Sequence, residues 1–272
     1  MNKYRIFVVM SSLVFSNVVF AGSILELATT EYAQDPPILG SVEITTEDNS
    51  SRVEITSISS SESGGLIYHG ERKEIVTIDH SRQEYYVISK EQIEMLARQV
   101  EEAMKQMEAA LAQMPPEQRE FAKKMMESQL PVKKAELSGG TPHKTNKTDT
   151  IAGYDCDYYD VMKGELKIRD ICITGWDDFP EGQEVAGAMQ ELGDFFESMR
   201  EAFAKSGGLD LMDSQQEMFA YMKELNGYPV RARDYSAAGE LVKETKLIGA
   251  SNEEVDPQMF EPPPTYQRKE LQ

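Results

Sequence analysis

The chain is poor in the residues that carry most catalytic and redox chemistry: its 272 positions hold two cysteines, three histidines and one tryptophan. His69, His80 and His143 fall in expected turns or in a polar linker, and no His-x-x-x-His or paired-cysteine spacing offers a zinc site. There is no Gly-x-Ser-x-Gly elbow, phosphate loop or dinucleotide fingerprint. The expectation is a non-enzymatic protein with no catalytic residue, metal or cofactor. Carboxylates abound, and Asp155 and Asp157 share a strand face in "DCDYYD", but in so acidic a chain such pairs arise from composition alone. Asp177-Asp178 with Glu181 does not match the spacing of an EF-hand loop. Asn146-Lys147-Thr148 fits a glycosylation sequon and reads as chance in a bacterial-looking secreted chain. Basic residues are scarce too, 28 against 47 acidic for a net charge of −19, so the surface repels nucleic acid and anionic lipid headgroups. Nucleic acid is excluded as a partner.

The N-terminus has the three parts of a secretory signal peptide. Lys3 and Arg5 precede an apolar run from Ile6 to Phe20, and Val19-Phe20-Ala21 supplies the residues a signal peptidase reads, which predicts cleavage after Ala21. Ser11, Ser12, Ser16 and Asn17 interrupt the run, which is also short for a membrane anchor. Loss of Lys3 and Arg5 shifts the charge of −19 by two, to −21. The expected location is periplasmic or secreted, in a bacterial envelope, with no transmembrane span once the signal is removed.

In an oxidising compartment two thiols within reach of one another pair. Cys156 and Cys172 lie in two Tyr-, Val- and Ile-rich runs, 154–162 and 166–174, around Lys163-Gly164-Glu165, which reads as a three-residue hairpin loop. A hairpin centred on Gly164 places Cys156 opposite Cys172, so a disulfide pinning that hairpin is predicted. Redox-active pairs typically show Cys-x-x-Cys spacing, which is missing here.

Residues 22–37 read as an N-terminal segment, followed by a single domain over 38–268. Between Ile38 and Ile88 apolar and polar residues alternate, with turn clusters at Glu47-Asp48-Asn49-Ser50, Ser63-Gly64-Gly65 and Asp79-His80-Ser81, the pattern of a meandering antiparallel sheet. Ser89 and Gln92 form a capping box ahead of a helical stripe through Ile93, Leu96, Val100, Met107 and Leu111. Met114-Pro115-Pro116 breaks that helix, and a second one runs to about Leu130, making a helical hairpin insertion over about 90–130. Ser138 to Thr150 reads as a polar linker. After the cysteine hairpin, Pro180 opens a helix with Val185, Met189, Leu192, Phe196, Met199 and Phe203 on one face and Gly207-Gly208 as its stop. A shorter helix covers Met212 to Leu225 and ends at Asn226-Gly227. Strands follow at Pro229 to Ser236 and Glu240 to Ile248, and the proline-rich tail has room for only a short edge strand. The fold class is α+β, a large antiparallel sheet with helices gathered on one side.

Methionine is the one enrichment on the helices: of fifteen, six lie between Met95 and Met126 and five between Met189 and Met222. Its flexible thioether suits surfaces that accept apolar partners of variable shape. Two readings stand. The stripes are ordinary core, or they line a lid over an apolar cavity formed by Met104, Met107, Leu111, Phe121, Met125, Phe196 and Phe203.

The stretches "IAGYDCDYY" (151–159), "NGYPVRARDY" (226–235) and "FEPPPTY" (260–266) resemble a family of bacterial secreted proteins defined as a domain of unknown function. That family is similar to the LolA and LolB lipoprotein carriers and the LppX-type proteins. The resemblance implies a curved antiparallel half-barrel whose concave apolar face is covered by helices, and an envelope role in carrying a lipid or lipoprotein. The alternative is an acidic protein-interaction or structural module without a small ligand, whose partner would be a basic envelope protein.

Overall fold

The computed structural model describes residues 22–57, 63–112, 115, 118, 139–203 and 213–270. Twelve strands form one open sheet: β1 (Gly22–Glu31), β2 (Ile38–Glu47), β3 (Ser50–Ser57), β4 (Ser63–His69), β5 (Glu74–Asp79), β6 (Glu84–Ser89), β7 (Thr141–Ile151), β8 (Tyr154–Lys163), β9 (Leu166–Gly175), β10 (Gly227–Tyr235), β11 (Leu241–Glu253) and β12 (Gln267–Lys269). Their order is β12-β6-β5-β4-β3-β2-β1-β11-β10-β9-β8-β7. All pairings are antiparallel except β12 with β6. Three helices are described: α1 (Lys90–Ala112), α2 (Pro180–Phe203) and α3 (Asp213–Glu224). The α+β class with a large antiparallel sheet is as expected.

Several local expectations change. Residues 22–37, set apart from the domain, supply β1, which lies mid-sheet between β2 and β11 and buries Leu25 and Leu27. Ser138 to Thr150, expected as a linker, is largely β7. It is polar because it is an edge strand paired only with β8, with most side chains in solvent. Ser63-Gly64-Gly65 opens β4 rather than a turn. The glycines serve close approach, since a β-carbon on Gly65 would sit 2.8 Å from the Glu54 carboxylate of the neighbouring strand. The β4–β5 turn falls instead on 70–73, closed by Lys73 at φ +49.

The disulfide is present, with its Cα atoms 5.4 Å apart. The hairpin that carries it is not centred on Gly164. Its loop is the pair Gly164-Glu165, and an irregularity between Val161 and Met162 leaves Ile168 as an extra residue on β9. Beyond it Tyr158 faces Cys172, so the bridge runs diagonally from Cys156 instead of directly across.

The capping box forms as expected. The Ser89 backbone N–H donates to Gln92 Oε1 at 2.9 Å, and the Gln92 N–H donates to Ser89 Oγ at 3.3 Å. The second helix of the hairpin insertion and the Gly207-Gly208 stop lie outside the described residues. α3 ends close to its expected boundary, with Asn226 in the left-handed region at φ +52. The next residue, Gly227, begins β10 where a β-carbon would lie 2.1 Å from the Thr174 carbonyl oxygen.

The sheet is buried on both faces at β4–β5. Tyr68 and Ile75, a cross-strand pair, pack with Ile93 of α1 and Leu192 and Phe195 of α2. Their chain neighbours Ile67 and Val76 point the other way, onto Val255 and Phe260 of the C-terminal segment. The largest cluster joins Leu25, Leu27, Ile44, Val230 and Leu247 of the sheet to Val185 of α2 and Met222 of α3.

Candidate functional site

An aromatic hub anchors the start of α2. Phe179 is fully buried, with its ring 4.4 Å from Tyr154 and 5.4 Å from Tyr228, and Trp176 meets Tyr228 at 6.4 Å. Gly182 lets the Phe179 ring tuck under the first helical turn, where a β-carbon would come within 2.1 Å of it. Burial pushes the Tyr228 hydroxyl up to about 12.

Above this hub, α2 and α3 diverge into a groove of about 640 Å3. On the α2 side, Gln183, Ala186, Gly187, Gln190 and Gly193 recur at three- and four-residue intervals and so share one helical face. Phe219 and Met222 of α3 form the opposite wall, and half-buried Trp176, from a 3-10 turn after β9, closes one end. Trp176, Ala186, Phe219 and Met222 also belong to the main core cluster, so the groove floor is continuous with the core. Asp194 and Lys223 stand at its rim.

The two central glycines differ. Phe219 lies over Gly193, 3.6 Å from where a β-carbon would be, in ordinary van der Waals contact. Among the described residues, nothing lies within 4 Å of the corresponding point on Gly187. A glycine inside a helix costs about 1 kcal/mol relative to alanine, and none of those residues requires one at 187.

Of the seven residues expected to line an apolar cavity, three have described side chains. Met107 is half-buried and Leu111 buried on α1, and Phe196 packs against the Tyr68–Leu192–Phe195 cluster. None of the three lines the α2–α3 groove. The side chains of Met104, Phe121, Met125 and Phe203 lie outside the described residues. The groove escapes a search for hydrophobic stripes because its α2 wall is built from Ala, Gly and Gln, one face away from the stripe of Val185, Leu192 and Phe195. The usable signal is the glycine pair inside an apolar-periodic helix that opens on Pro180.

Further along β9 and β10, charged side chains form a paired network. On β9 and β10, Asp170 accepts from Arg233 at 2.8 Å and from the Tyr235 hydroxyl at 2.6 Å, and Lys167 approaches it at 3.0 Å. Burial pushes the Asp170 carboxyl up, but these hydrogen bonds outweigh it and hold the group below its usual range. Arg231 engages Glu244 and the Tyr158 hydroxyl. Among the described residues, no group of three or more His, Cys, Asp or Glu side chains is placed to hold a metal ion.

No family model matches the chain, and no curated protein does. Among solved structures it is similar to an uncharacterized conserved protein from Thermus thermophilus, with 6% identity and a TM-score of 0.43 over 93% of this chain and 92% of that one. It is also similar to MucB in complex with MucA(peri), with 6% identity and a TM-score of 0.37 over 91% of this chain. The Pseudomonas aeruginosa MucA/MucB complex gives 7% identity and a TM-score of 0.38 over 91% of this chain. The chain spans only 56% and 57% of those two chains. The likeness is one of loose backbone course.

Proposed function

We propose that this is a non-enzymatic binding protein of the bacterial envelope that holds a single apolar chain, such as an acyl chain, in the α2–α3 groove. The observation that carries the reading is the open space over Gly187, kept at a cost to the helix and floored by core residues. A volume of about 640 Å3 is within the range of small-ligand sites. Burying about 300 Å2 of a chain's surface there would contribute about 7 kcal/mol before association costs. A formed disulfide is compatible with an extracytoplasmic location, as is the lack, among the described residues, of a helix long and apolar enough to cross a membrane. The open antiparallel sheet with helices on one face supports a half-barrel of the lipoprotein-carrier type.

Trp176 is the chain's sole tryptophan and stands in the groove wall, so it reports on occupancy directly. Titration with N-phenyl-1-naphthylamine should change its emission. Gly187→Leu should weaken binding at least tenfold while the melting temperature stays level or rises. Absence of binding to the unsubstituted protein, or equal binding by the leucine variant, would transfer the case to the acidic interaction module.

A further inference from the structure

Two of the three histidines lie along the C-terminal segment that crosses the other face of the sheet. From Val255 to Tyr266 this segment packs Val255 and Phe260, both nearly fully buried, against Ile67, Val76 and Ile78, with Met259 and Tyr266 at the margins. It ends in β12, which adds three residues in parallel to β6. Among the described residues its polar fastenings include a Gln267 N–H donated to the Gln83 carbonyl at 2.9 Å. Arg52 Nη1 donates to the Met259 carbonyl, Arg72 pairs with Glu261 at 3.1 Å, and Lys269 pairs with Glu84 at 3.1 Å. His80 bridges the segment to the sheet, with Nδ1 3.0 Å from the Tyr266 hydroxyl and Nε2 2.8 Å from Glu54.

His69 is placed differently. It closes β4 on the same face as Ile67, the face the segment covers, and only 6% of it is exposed. Its Nε2 is buried without a hydrogen-bond partner. The charged groups around it are Arg72 in the adjoining turn, Glu74 opposite it on β5, and Glu261 on the segment itself. Among the described residues this buried imidazole nitrogen has no hydrogen-bond partner, so a second proton there would gain no direct acceptor in the closed form.

We propose that residues 254–270 form a strap that acid releases from the sheet, with His69 as the group that takes up the proton once the strap lifts. Burial, then the Arg72 guanidinium, hold the His69 imidazole below its usual value, and Glu261 and Glu74 oppose them without prevailing. The sign follows. With the strap closed His69 stays neutral, and with it lifted the ring titrates near its ordinary value of about 6.5. Below that pH the proton binds the open form preferentially, and the open fraction rises toward tenfold per pH unit until the closed form also protonates. His80 ties the strap to the sheet through both ring nitrogens, to the Tyr266 hydroxyl and to Glu54. The lifted strap would uncover the apolar face of Ile67, Val76 and Ile78, a second surface on the side of the sheet away from α2.

The test is hydrogen exchange by mass spectrometry on the full mature protein at pH 7.5, 6.5 and 5.5, corrected for intrinsic exchange, with β1 and β11 peptides as internal reference. Strap peptides should lose protection relative to that reference, by up to about tenfold between pH 7.5 and 5.5, and His69→Gln should abolish the dependence. Strap protection that follows the reference at every pH, or an unchanged dependence in His69→Gln, overturns the proposal. Should the variant fail to fold, an NMR titration of the unsubstituted His69 ring decides. Protonation below the ordinary value, together with loss of the folded Phe260 and Tyr266 ring signals, supports the strap; protonation at the ordinary value with those signals unmoved refutes it.

Discussion

Removing the Cys156–Cys172 bridge gives the sharpest measure of how the β8–β9 hairpin is held. The bridge closes a loop of 16 residues, for which loop-closure entropy in the unfolded chain amounts to about 3 kcal/mol. Both half-cystines are buried, at 4% and 0% exposure, within the main core cluster. Reduction therefore removes the cross-link while keeping the sulfur atoms in place, whereas Cys156→Ala with Cys172→Ala removes the link and leaves small voids as well. For a chain of this length the urea m-value is about 3 kcal/mol per molar, so reduction should lower the unfolding midpoint by about 1 M. The double alanine variant should fall further, by the cost of the lost sulfur packing. The assay is urea unfolding followed by Trp176 fluorescence, with and without reductant, and thiol labelling to prove reduction. Quantitative reduction with a midpoint shift under about 0.3 M would refute the reasoning, because the ladder alone would then confine the hairpin.

Two further outcomes are expected. Tyr228 is neutral and buried in the native state, with its hydroxyl pushed up to about 12. Its contribution is therefore complete below the ordinary tyrosine value of about 10 and is lost as pH rises toward 12, by about 3 kcal/mol; in spectrophotometric titration at 295 nm one tyrosine should ionise last, and Tyr228→Phe should remove that step. Gly65→Ala would bring a methyl group to 2.8 Å from the Glu54 carboxylate, which also contacts Arg52 and His80. The variant should loosen the strap more than the core, read as faster exchange in peptides covering 257–270 with β1 and β11 unchanged.

The alternation of β2 is legible in the chain because Val42 and Ile44 meet one core face on either side of Glu43, whereas β4, buried on both faces, carries apolar Ile67 and Tyr68 in successive positions. The capping box is legible because Ser89 and Gln92 act locally. β7 is hidden because an edge strand with both sides wet has no reason to alternate, and only its pairing with β8 identifies it. β1 is hidden by position: it lies far in sequence from β11, its partner at the sheet centre. The cysteine register is missed by a single residue, Ile168, since a bulge leaves no mark on a hydrophobic pattern. The α2–α3 groove is hidden for the opposite reason from a buried core, because small and polar side chains define it.

The stretches 151–159, 226–235 and 260–266 take on physical roles in the structure, and those roles are architectural. In "IAGYDCDYY", Ala152 and Gly153 form the positive-φ turn between β7 and β8, Tyr154 packs at a tilt against Phe179, and Cys156 enters the disulfide. In "NGYPVRARDY", Asn226 ends α3, Gly227 permits the approach to Thr174, Tyr228 completes the hub, and Arg231 and Arg233 satisfy Glu244 and Asp170. In "FEPPPTY", Phe260 and Tyr266 hold the strap to the sheet. Residues that a fold needs in order to turn, cross-link and close are informative about the fold and silent about the ligand. On the proposed reading, binding specificity resides where the fold places no such demand, and on α2 that is the face of Gln183, Ala186, Gly187 and Gln190. Substitutions there should then change ligand affinity before they change whether the protein folds, while substitutions in the three architectural stretches should do the reverse.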